Sequence, residues 1–398
     1  MANKPVLDLK NVPQELKLII ELMKEGNEEY LKENSEVLTS GVNWNHFIDL
    51  VFHHRLHPLM NAKLKLLDKH NIPAAVFTSM NVAYKKNTFQ MLHLSAEMQR
   101  VNQIFDDNQI RLLFLKGPVL AQELYGDISL RTSSDLDFLV PIEDLEASEA
   151  LLSKLGYEKD DYIQTVLSDW RWRHHHVTYI HPVKGIKLEI HWRLHPGPGA
   201  EQTFDELWKR KIQSTPTAHP VYLLGKEDLF LFLTAHGARH GWSRLRWLID
   251  IHQLVVQGLE WTKIHNLLKR YHIVQIGGQA IILSTELLNA RVPKEVNKRF
   301  RTDRTKKLAQ AAIYYLESMI HLHSEPLPEE VSEYHKRHLF SLMSFKQKAL
   351  FILSFMYPYP EDAKTLPLPK SLHFLYFPLR PFLWAWRKLK RTRKHALP

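Results

Sequence analysis

The spacing of apolar residues changes near residue 109 and changes back after residue 199, and any fold proposed for this chain must accommodate both changes. In the first segment apolar residues recur three and four positions apart, as in Leu16, Ile19 and Met23, and glycine is nearly absent. This spacing predicts helices. Pro73 favours the start of a long helix that reaches Phe105, because proline is accepted in the first helical turn.

The central segment has the character of short strands. Four short apolar runs, bounded by turn residues or alternating between two faces, predict strands at 110–115, 136–140, 176–181 and 186–192. The stretch from Ile142 to Leu155 has helical spacing and ends at Gly156, which suits a helix C-cap. Helical spacing returns at 204–211 and again over 227–256.

These patterns predict an α+β fold in which a small mixed sheet is flanked by helical domains. The length of 398 residues is enough for two or three packed units. We expect an N-terminal helical domain at 1–108, an α/β core at 109–215, a C-terminal helical domain at 216–360 and an aromatic and basic tail at 361–398.

Composition limits the chemistry of the chain. Because the sequence contains no cysteine, it excludes disulfide bonds, thiolate zinc sites, iron–sulfur clusters and a cysteine nucleophile. Any metal must therefore be held by oxygen or imidazole ligands. The chain has no run of eighteen apolar residues free of charge and proline, and its first residues lack the apolar stretch of a signal peptide. We expect a cytoplasmic protein without transmembrane helices.

The basic charge is concentrated in the tail. The chain has 53 Lys and Arg against 43 Asp and Glu, and seven of the basic residues fall after residue 379 with no acid among them. Prolines at 367, 369, 378 and 381 are expected to prevent one long helix there. Aromatic residues beside these charges suit three roles: a strap packed on the body, peripheral contact with an anionic membrane through residues 371–394, or binding of single-stranded nucleic acid.

Two carboxylates two residues apart are the strongest chemical signal. Asp135 and Asp137 lie on a predicted strand, so both side chains emerge on one face while Leu136 points into the core. Adjacent carboxylates repel unless a cation neutralises them, and oxygen ligands favour Mg²⁺ or Mn²⁺. Glu189, on a later strand, is a third candidate ligand. The alternatives are turn capping by the aspartates and a plain salt bridge from Glu189 to Lys187 or Arg193.

Several stretches also carry a family resemblance: Leu115-Lys-Gly117, Leu124-Tyr-Gly126, Leu130-Arg131, Ser134-Asp-Leu-Asp-Phe-Leu-Val140, Leu155-Gly-Tyr157, Glu189-Ile-His-Trp-Arg193, His236-Gly-Ala-Arg-His-Gly-Trp242 and Leu245-Arg-Trp-Leu-Ile-Asp250. They resemble the uncharacterised bacterial nucleotidyltransferase family of the polymerase-β-like superfamily. The resemblance is close from residue 110 to residue 256 and loose in the flanking helices.

The resemblance implies a reaction and a division of labour. Asp135, Asp137 and Glu189 would be the catalytic, metal-binding acids. A nucleoside monophosphate would pass from an NTP such as ATP to a hydroxyl-bearing acceptor, with Mg²⁺ or Mn²⁺ as cofactor and pyrophosphate as leaving group. The acceptor is open: a small molecule, a peptide, a glycan or a nucleic acid.

The resemblance also implies two groups of binding residues. Those expected at the nucleotide phosphates are Lys116, Gly117, Arg131 and Ser134, and those expected at the substrate are His191, His236, Arg246 and Asp250. In this assignment Gly117 allows close approach of the backbone to a phosphate and Arg131 neutralises the leaving pyrophosphate.

Other interpretations stay open. Pro118 directly after Gly117, and a long gap to Asp135, favour an inactive pseudo-transferase or a partner-binding scaffold. A glycosyltransferase that holds a sugar nucleotide through Mn²⁺ would also use an Asp-x-Asp pair. His236 and His240 have the spacing of a zinc helix but lack its glutamate, so packing or substrate contact is preferred. The run 174–176 is interpreted as surface or loop histidines, because consecutive strand residues point to opposite faces.

Overall fold

The computed structural model of the chain describes residues 7–160, 163–215, 219–322 and 326–395, with side chains described as far as residue 389. The first six residues, which bear on the expectation of no signal peptide, lie outside this range. So do residues 396–398 and the side chains of the last four basic residues of the tail.

The N-terminal region is helical, as the apolar spacing predicts. Its helices are α1 (Gln14–Met23), α2 (Glu28–Glu33), α3 (Ser35–Thr39), α4 (Trp44–His53), α5 (His57–Lys63) and α6 (Ala74–Asp107). The long helix α6 starts directly after Pro73 and buries Phe105 completely, which confirms both the predicted start and the predicted reach.

The central region alternates strands and helices. Its elements are β1 (Leu113–Phe114), α7 (Pro118–Tyr125), β2 (Asp135–Leu139), α8 (Leu145–Lys154), β3 (Glu158–Lys159), α9 (Trp170–Arg173), β4 (His176–Ile180), β5 (Lys187–His191), α10 (Phe204–Lys209), β6 (Ile212–Ser214) and β7 (Val221–Leu223). All four predicted strands are present, although the run at 110–115 contributes only the two residues of β1. The sequence patterns did not predict β3, β6 or β7.

The strands form one mixed seven-stranded sheet in the order β3-β4-β5-β2-β1-β7-β6. Strand β2 is antiparallel to β1 and parallel to β5, and β5 is antiparallel to β4. The predicted α+β class with a mixed sheet is therefore confirmed. Because β7 pairs with β1, the sheet continues beyond residue 215, where the sequence places the end of the core.

One face of the sheet packs against the long helix α6. Leu136 and Phe138 of β2 are fully buried, and the ring of Phe138 lies 5.4 Å from that of Phe105 on α6. The same hydrophobic core runs from Leu7 to Leu342, so the flanking helices and the sheet share it. Since side chains alternate along β2, Asp135 and Asp137 lie on the opposite face.

The C-terminal region consists of further helices: α11 (Lys226–Arg239), α12 (Leu245–Val256), α13 (Trp261–Arg270), α14 (Val274–Leu288), α15 (Lys294–Phe300), α16 (Asp303–Glu317), α17 (Glu329–Leu342), α18 (Phe345–Ser354), α19 (Pro360–Thr365) and α20 (Tyr376–His395). The helical stretch predicted over 227–256 is two helices. The chain turns between them at Gly241, where φ is +62° and an added Cβ would lie 2.5 Å from the Tyr315 ring.

The tail corrects one expectation. Helix α20 runs for 20 residues through Pro378 and Pro381, so the prediction that prolines prevent a long helix there is wrong. Pro378 lies in the first turn, where an N–H has no partner within the helix, and Pro381 costs the helix a single hydrogen bond. None of the described helices is long and apolar enough to cross a membrane.

Candidate active site

The acids predicted from the sequence meet on neighbouring parallel strands. In the pairing of β2 with β5, Asp137 lies directly opposite Glu189, and Asp135 lies opposite Lys187. The alternation that buries Leu188 and Ile190 beneath the sheet leaves Glu189 on the same face as the two aspartates. His191, two residues further along β5, shares that face.

Three of these side chains are close enough to hold one ion. The His191 Nε2 atom lies 3.3 Å from Asp137 Oδ1 and 3.6 Å from Glu189 Oε2. One ligand atom from each of Asp137, Glu189 and His191 lies within 4.8 Å of the other two. The structure thus brings two of the three predicted acids together directly.

Two lysines complete the charge pattern. Lys116 Nζ lies 3.3 Å from Asp137 Oδ1. Lys187 Nζ lies 2.6 Å from Glu189 Oε1 and 3.7 Å from Asp135 Oδ2, so it joins the third acid to the group. Asp135, whose side chain is 25% exposed, lies at the rim of the site. The salt bridge expected as an alternative for Glu189 is present to Lys187, whereas Arg193 pairs with Glu201.

The protonation states follow from these contacts. Burial and the neighbouring Asp137 raise the pKa of Asp135. Burial alone would raise the pKa of Asp137, but Lys116 and the hydrogen bond with His191 hold it below its ordinary value. Burial would lower the pKa of His191, but Asp137 and Glu189 raise it. Burial also opposes ionisation of Glu189, yet His191 holds its pKa well below the ordinary range.

The donor set fits a divalent cation. Among the described residues, the buried Oδ2 atom of Asp137 and the buried Nδ1 atom of His191 have no hydrogen-bond partner. Unpaired buried polar atoms are costly, so each of them calls for a partner that the protein itself does not supply. Carboxylate oxygens suit Mg²⁺ or Mn²⁺, and an imidazole suits transition metals such as Zn²⁺.

The turn between β1 and α7 places Lys116 at the acids. Gly117 has φ of +83°, a conformation that side chains disfavour, and an added Cβ would lie 3.1 Å from Leu136 Cδ2. Pro118 is the first residue of α7, a position whose N–H has no partner in any helix. Pro118 is therefore explained by helix initiation. Ser134, also predicted at the nucleotide, is exposed just before β2.

Two residues predicted to contact ligands bind each other instead. The Arg131 guanidinium, 2% exposed, donates to both oxygens of the fully buried Asp250 at 2.9 to 3.2 Å. Tyr125 donates to the same carboxylate at 2.8 Å. Arg246 donates to the backbone and hydroxyl oxygens of Thr132 at 2.6 Å. These contacts tie α12 to the chain entering β2, and they correct the expectation that Arg131 and Asp250 face a ligand.

The signature histidines of α11 pack against an aromatic ring. The rings of His236 and His240 lie 4.6 Å apart, and each lies 5.3 Å from Trp247. Burial and the nearby Lys116 hold the pKa of His236 well below its ordinary value, so its ring is neutral. This arrangement agrees with the preference for packing over a zinc helix.

A cavity of about 920 Å³ lies near the acids, although none of the three lines it. Its walls come from the loop after β5 and from helices α11, α17 and α18, so it lies between the sheet and the C-terminal helices. Phe232 of the cavity wall also lies 5.6 Å from Lys116 Nζ. Pockets of this size accommodate small organic ligands.

Arg239 is the cavity residue that the sequence analysis missed. Its side chain lines the cavity, and its Nε atom has no hydrogen-bond partner among the described residues. The negative charge of Glu189 favours the protonated form of the Arg239 guanidinium. Burial lowers its pKa to about 10, so it stays cationic at neutral pH. Arg239 lies within the signature stretch 236–242, but a guanidinium that faces a cavity has no sequence signal of its own.

The histidine run also differs from its interpretation. His176 is the first residue of β4 and lies opposite His191, and the ring of His175 lies 4.4 Å from that of His176. The alternation of strand side chains does not separate them, because His175 precedes the strand. Burial and His191 lower the pKa of His176 to about 4, and both hold that of His175 still lower.

The fold and the site define an α+β protein with a candidate cation site of two carboxylates and an imidazole beside a large cavity. The model of a family described as uncharacterised nucleotidyltransferase matches residues 40–289, and the chain belongs to that family. Membership supports a nucleotidyl transfer activity in general. Comparisons with curated proteins and with solved structures gave no match.

Proposed function

We propose that this protein is a Mg²⁺- or Mn²⁺-dependent nucleotidyltransferase of the polymerase-β-like type that moves a nucleoside monophosphate from an NTP to a hydroxyl group. The observation that carries the proposal is the register of β2 and β5, which sets Asp137 opposite Glu189 with Asp135 on the same face. Family membership supplies the class of reaction.

The chemistry is an in-line displacement at the α-phosphorus. A bond forms from the acceptor oxygen to phosphorus, the bond to the bridging α–β oxygen breaks, and pyrophosphate leaves with that electron pair while the hydroxyl proton passes to solvent. A bound Mg²⁺ or Mn²⁺ would neutralise phosphate charge and make the hydroxyl more acidic.

The residues of the chain divide this work. Asp135, Asp137 and Glu189 hold the cation, and their low exposure keeps water from competing with them. Lys116 and Lys187 now neutralise these carboxylates, and a bound cation would release both ammonium groups toward the phosphates.

Arg239 takes the role that the resemblance gave to Arg131. Arg131 is fully engaged by Asp250, whereas Arg239 faces the cavity beside Glu189. We assign Arg239 to the leaving pyrophosphate, because a guanidinium pairs well with phosphate oxygens. The remaining cavity volume is assigned to the acceptor.

The test uses full-length protein with NTPs labelled on the α- or the γ-phosphate, in Mg²⁺ or Mn²⁺. Transfer retains the α-label on an acceptor and releases the γ-label as pyrophosphate. Asp137→Asn should reduce the rate by about 1,000-fold, equivalent to about 4 kcal/mol of transition-state stabilisation. Asp205→Asn, on an exposed acid that pairs with Arg111, is the matched control and should keep the wild-type rate.

The alternatives give different results in the same experiment. Hydrolysis or transfer from UDP-sugars, with no NTP turnover, would indicate a glycosyltransferase. Metal-independent binding of a partner without nucleotide binding would indicate a pseudo-transferase or scaffold. Either result overturns the proposal.

We also propose that helix α20 contacts an anionic membrane surface. Phe382, Trp386 and Leu389 are 73%, 64% and 67% exposed and share one helix face. The opposite face is covered by protein, since Arg380 and Arg387 both bind Asp362 of α19, at 2.6 and 2.7 Å, and Arg380 also donates to the Phe355 carbonyl ahead of the tail. No acid follows Asp362 in the sequence, so charge favours anionic lipid beside this apolar face.

Vesicle flotation tests this contact. The protein should float with vesicles that contain phosphatidylserine and should not float with neutral vesicles. The double variant Phe382→Ser, Trp386→Ser should lose flotation with the phosphatidylserine vesicles. Val183→Ser, on an apolar residue that is 89% exposed in the turn between β4 and β5, is the control. Equal binding by the double variant, or preferential binding to single-stranded DNA, would contradict the proposal.

A further inference from the structure

A cluster of three imidazoles lies beside the acids, and neither the resemblance nor the family assigns it a role. It consists of His175, His176 and His191, here called the three-histidine cluster. One ring nitrogen from each histidine lies within 4.8 Å of the other two, and His175 Nε2 lies 3.1 Å from His176 Nδ1. The ring centroids are 4.4 to 5.3 Å apart.

The backbone holds these rings in place. His176 and His191 are opposite residues in the antiparallel pair of β4 and β5. The carbonyl of His175 accepts hydrogen bonds from the backbone N–H groups of Trp192 at 3.0 Å and Arg193 at 3.4 Å. All three histidines are thus anchored to adjacent strands at one end of the sheet, which fixes their mutual distance before any ligand binds.

The spacing is near that of a metal site. At a metal–nitrogen distance of about 2.05 Å, ligand nitrogens in a tetrahedral site are about 3.3 Å apart. The pair His175 Nε2 and His176 Nδ1, 3.1 Å apart, is already close to this value. Rotation of the rings would bring the ring nitrogen of His191, now within 4.8 Å, to the same distance. Glu189 Oε2 lies 3.8 Å from the other ring nitrogen of His176, Nε2, so a water molecule would supply the fourth ligand.

We propose that the three-histidine cluster binds a divalent transition-metal ion of the zinc class, at a site distinct from the carboxylate site that Mg²⁺ or Mn²⁺ would use. Imidazole nitrogens favour Zn²⁺, Co²⁺ or Ni²⁺, whereas Mg²⁺ prefers oxygen. His191 is shared by the two sites, because it also contacts Asp137 and Glu189. The proposal concerns metal binding alone, so it stands or falls independently of the transfer reaction.

The experiment uses full-length protein without a histidine tag, stripped with EDTA and titrated with Co²⁺ in the presence of excess Mg²⁺. Wild type should develop the strong visible absorption of four-coordinate Co²⁺ with a stoichiometry of about one, and Zn²⁺ should abolish it. His175→Ala should weaken Co²⁺ affinity by more than the roughly 10- to 100-fold that loss of an outer-shell partner costs. Asp137→Asn should keep the absorption at saturating Co²⁺, with affinity lowered by at most about 10- to 100-fold, because Asp137 contacts His191 only as an outer-shell partner of this site.

Two controls make the result decisive. His174→Ala changes the adjacent histidine outside the cluster and should bind Co²⁺ like wild type. His175→Gln keeps a polar side chain of similar length, so loss of the absorption in a variant with an unchanged unfolding transition separates ligand loss from misfolding. Unchanged Co²⁺ binding by His175→Ala and His175→Gln would overturn the proposal. Loss of the absorption in Asp137→Asn even at saturating Co²⁺ would overturn it too, because the metal would then lie at the carboxylates.

Discussion

Two clusters of buried charge lie on either side of the chain that enters β2, and they differ in how completely they are paired. The closed cluster consists of Tyr125, Arg131 and Asp250. Its carboxylate accepts from the guanidinium and the phenol, and the guanidinium is 2% exposed. Burial and Asp250 raise the pKa of Tyr125, and Asp250 likewise raises that of Arg131 against the effect of burial. Tyr125 therefore stays neutral and Arg131 stays charged across ordinary pH.

The open cluster consists of Lys116, Asp137, Lys187, Glu189 and His191. The contacts of its central carboxylate are longer, at 3.3 Å from Asp137 to both Lys116 and His191, although Lys187 lies 2.6 Å from Glu189. Within the described part of the chain, one oxygen of Asp137 and one nitrogen of His191 stay unpaired. Lys116 of this cluster lies 5.6 Å from the ring of Phe232, which lines the cavity, whereas the guanidinium and carboxylate of the closed cluster are buried in protein.

The comparison teaches that burial of charge alone does not identify a functional site. A fully paired cluster stabilises one arrangement of the backbone, and a partly paired cluster retains the capacity to bind something else. Arg131 and Asp137 are only six residues apart, so the difference between them comes from their partners and not from their place in the sequence.

The largest expected effect is on the closed cluster. Asp250→Ala leaves the Arg131 charge buried without its partner, so the free energy of unfolding should fall by about 3 to 5 kcal/mol in urea denaturation at neutral pH. Asp205→Ala breaks a salt bridge in which the acid is 66% exposed and should cost less than about 0.5 kcal/mol. Equal losses in the two variants would show that the closed cluster is not a structural support.

The sequence could predict the residues of the open cluster but not the pairing of the closed one. The alternation along β2 and β5 places Asp135, Asp137 and Glu189 on the sides of their strands that face away from the core residues Leu136 and Leu188, and this inference needs only a period of two. That β5 lies beside β2 in the sheet depends on packing of the whole chain. The pairing of Arg131 with Asp250 joins residues 119 positions apart, and no local pattern reports such a contact.

The second prediction concerns the support of the closed cluster in acid. His53 Nε2 contacts the Ser243 carbonyl at 3.0 Å, and His54 accepts from the N–H of Leu245, so the two histidines hold the start of α12. Burial and His321 lower the pKa of His53 from 6.5 to about 4. The unfolded chain then binds protons more readily than the folded one, so the free energy of unfolding falls as pH drops below 6.5.

The size of this effect follows from the pKa. Each pKa unit corresponds to about 1.4 kcal/mol, so His53 alone should cost about 2 kcal/mol between pH 6.5 and pH 5. Urea denaturation of His53→Gln over that range should show a decline smaller by this amount, since glutamine does not titrate. If the free energy of unfolding of His53→Gln falls between pH 6.5 and pH 5 as much as that of wild type, His53 does not cause the decline.

Errors in the sequence analysis had similar local causes. The run 174–176 is interpreted as surface or loop histidines because consecutive strand residues point to opposite faces. Strand β4 begins at His176, as predicted, but His175 precedes the strand, so this alternation does not separate its ring from that of His176, 4.4 Å away. Pro378 and Pro381 were expected to break the tail helix, but their effect depends on distance from the helix start, which the sequence did not fix. In each case the residue type was interpreted correctly and its position within the element was not.

The third prediction concerns the turn that brings Lys116 to the open cluster. Gly117 and Gly126 are at the two ends of α7, with φ of +83° and +72°. An alanine at Gly126, which is left-handed helical, is strained by about 1 to 2 kcal/mol. Gly117 has ψ of −153°, a region essentially restricted to glycine, and only its added Cβ meets a buried neighbour, Leu136 Cδ2 at 3.1 Å. Gly117→Ala should therefore cost about 1 kcal/mol more than Gly126→Ala in urea denaturation. If the two variants lose equal free energy of unfolding, the contact between the added Cβ at residue 117 and Leu136 of β2 is relieved without an energetic penalty.

The smallest expected effect is on the open cluster itself. Asp137→Asn removes the pairing with Lys116 but also the repulsion from Asp135 and Glu189, so metal-free stability should stay within about 1 kcal/mol of wild type. Mg²⁺ or Mn²⁺ at ten times its Kd should raise the free energy of unfolding of wild type by about 1.4 kcal/mol and leave the variant unchanged. Because this comparison is made without substrate, it tests the cation site separately from the reaction. A loss as large as that of Asp250→Ala would show that the two clusters are structural supports of the same kind, and the contrast between them would then fail.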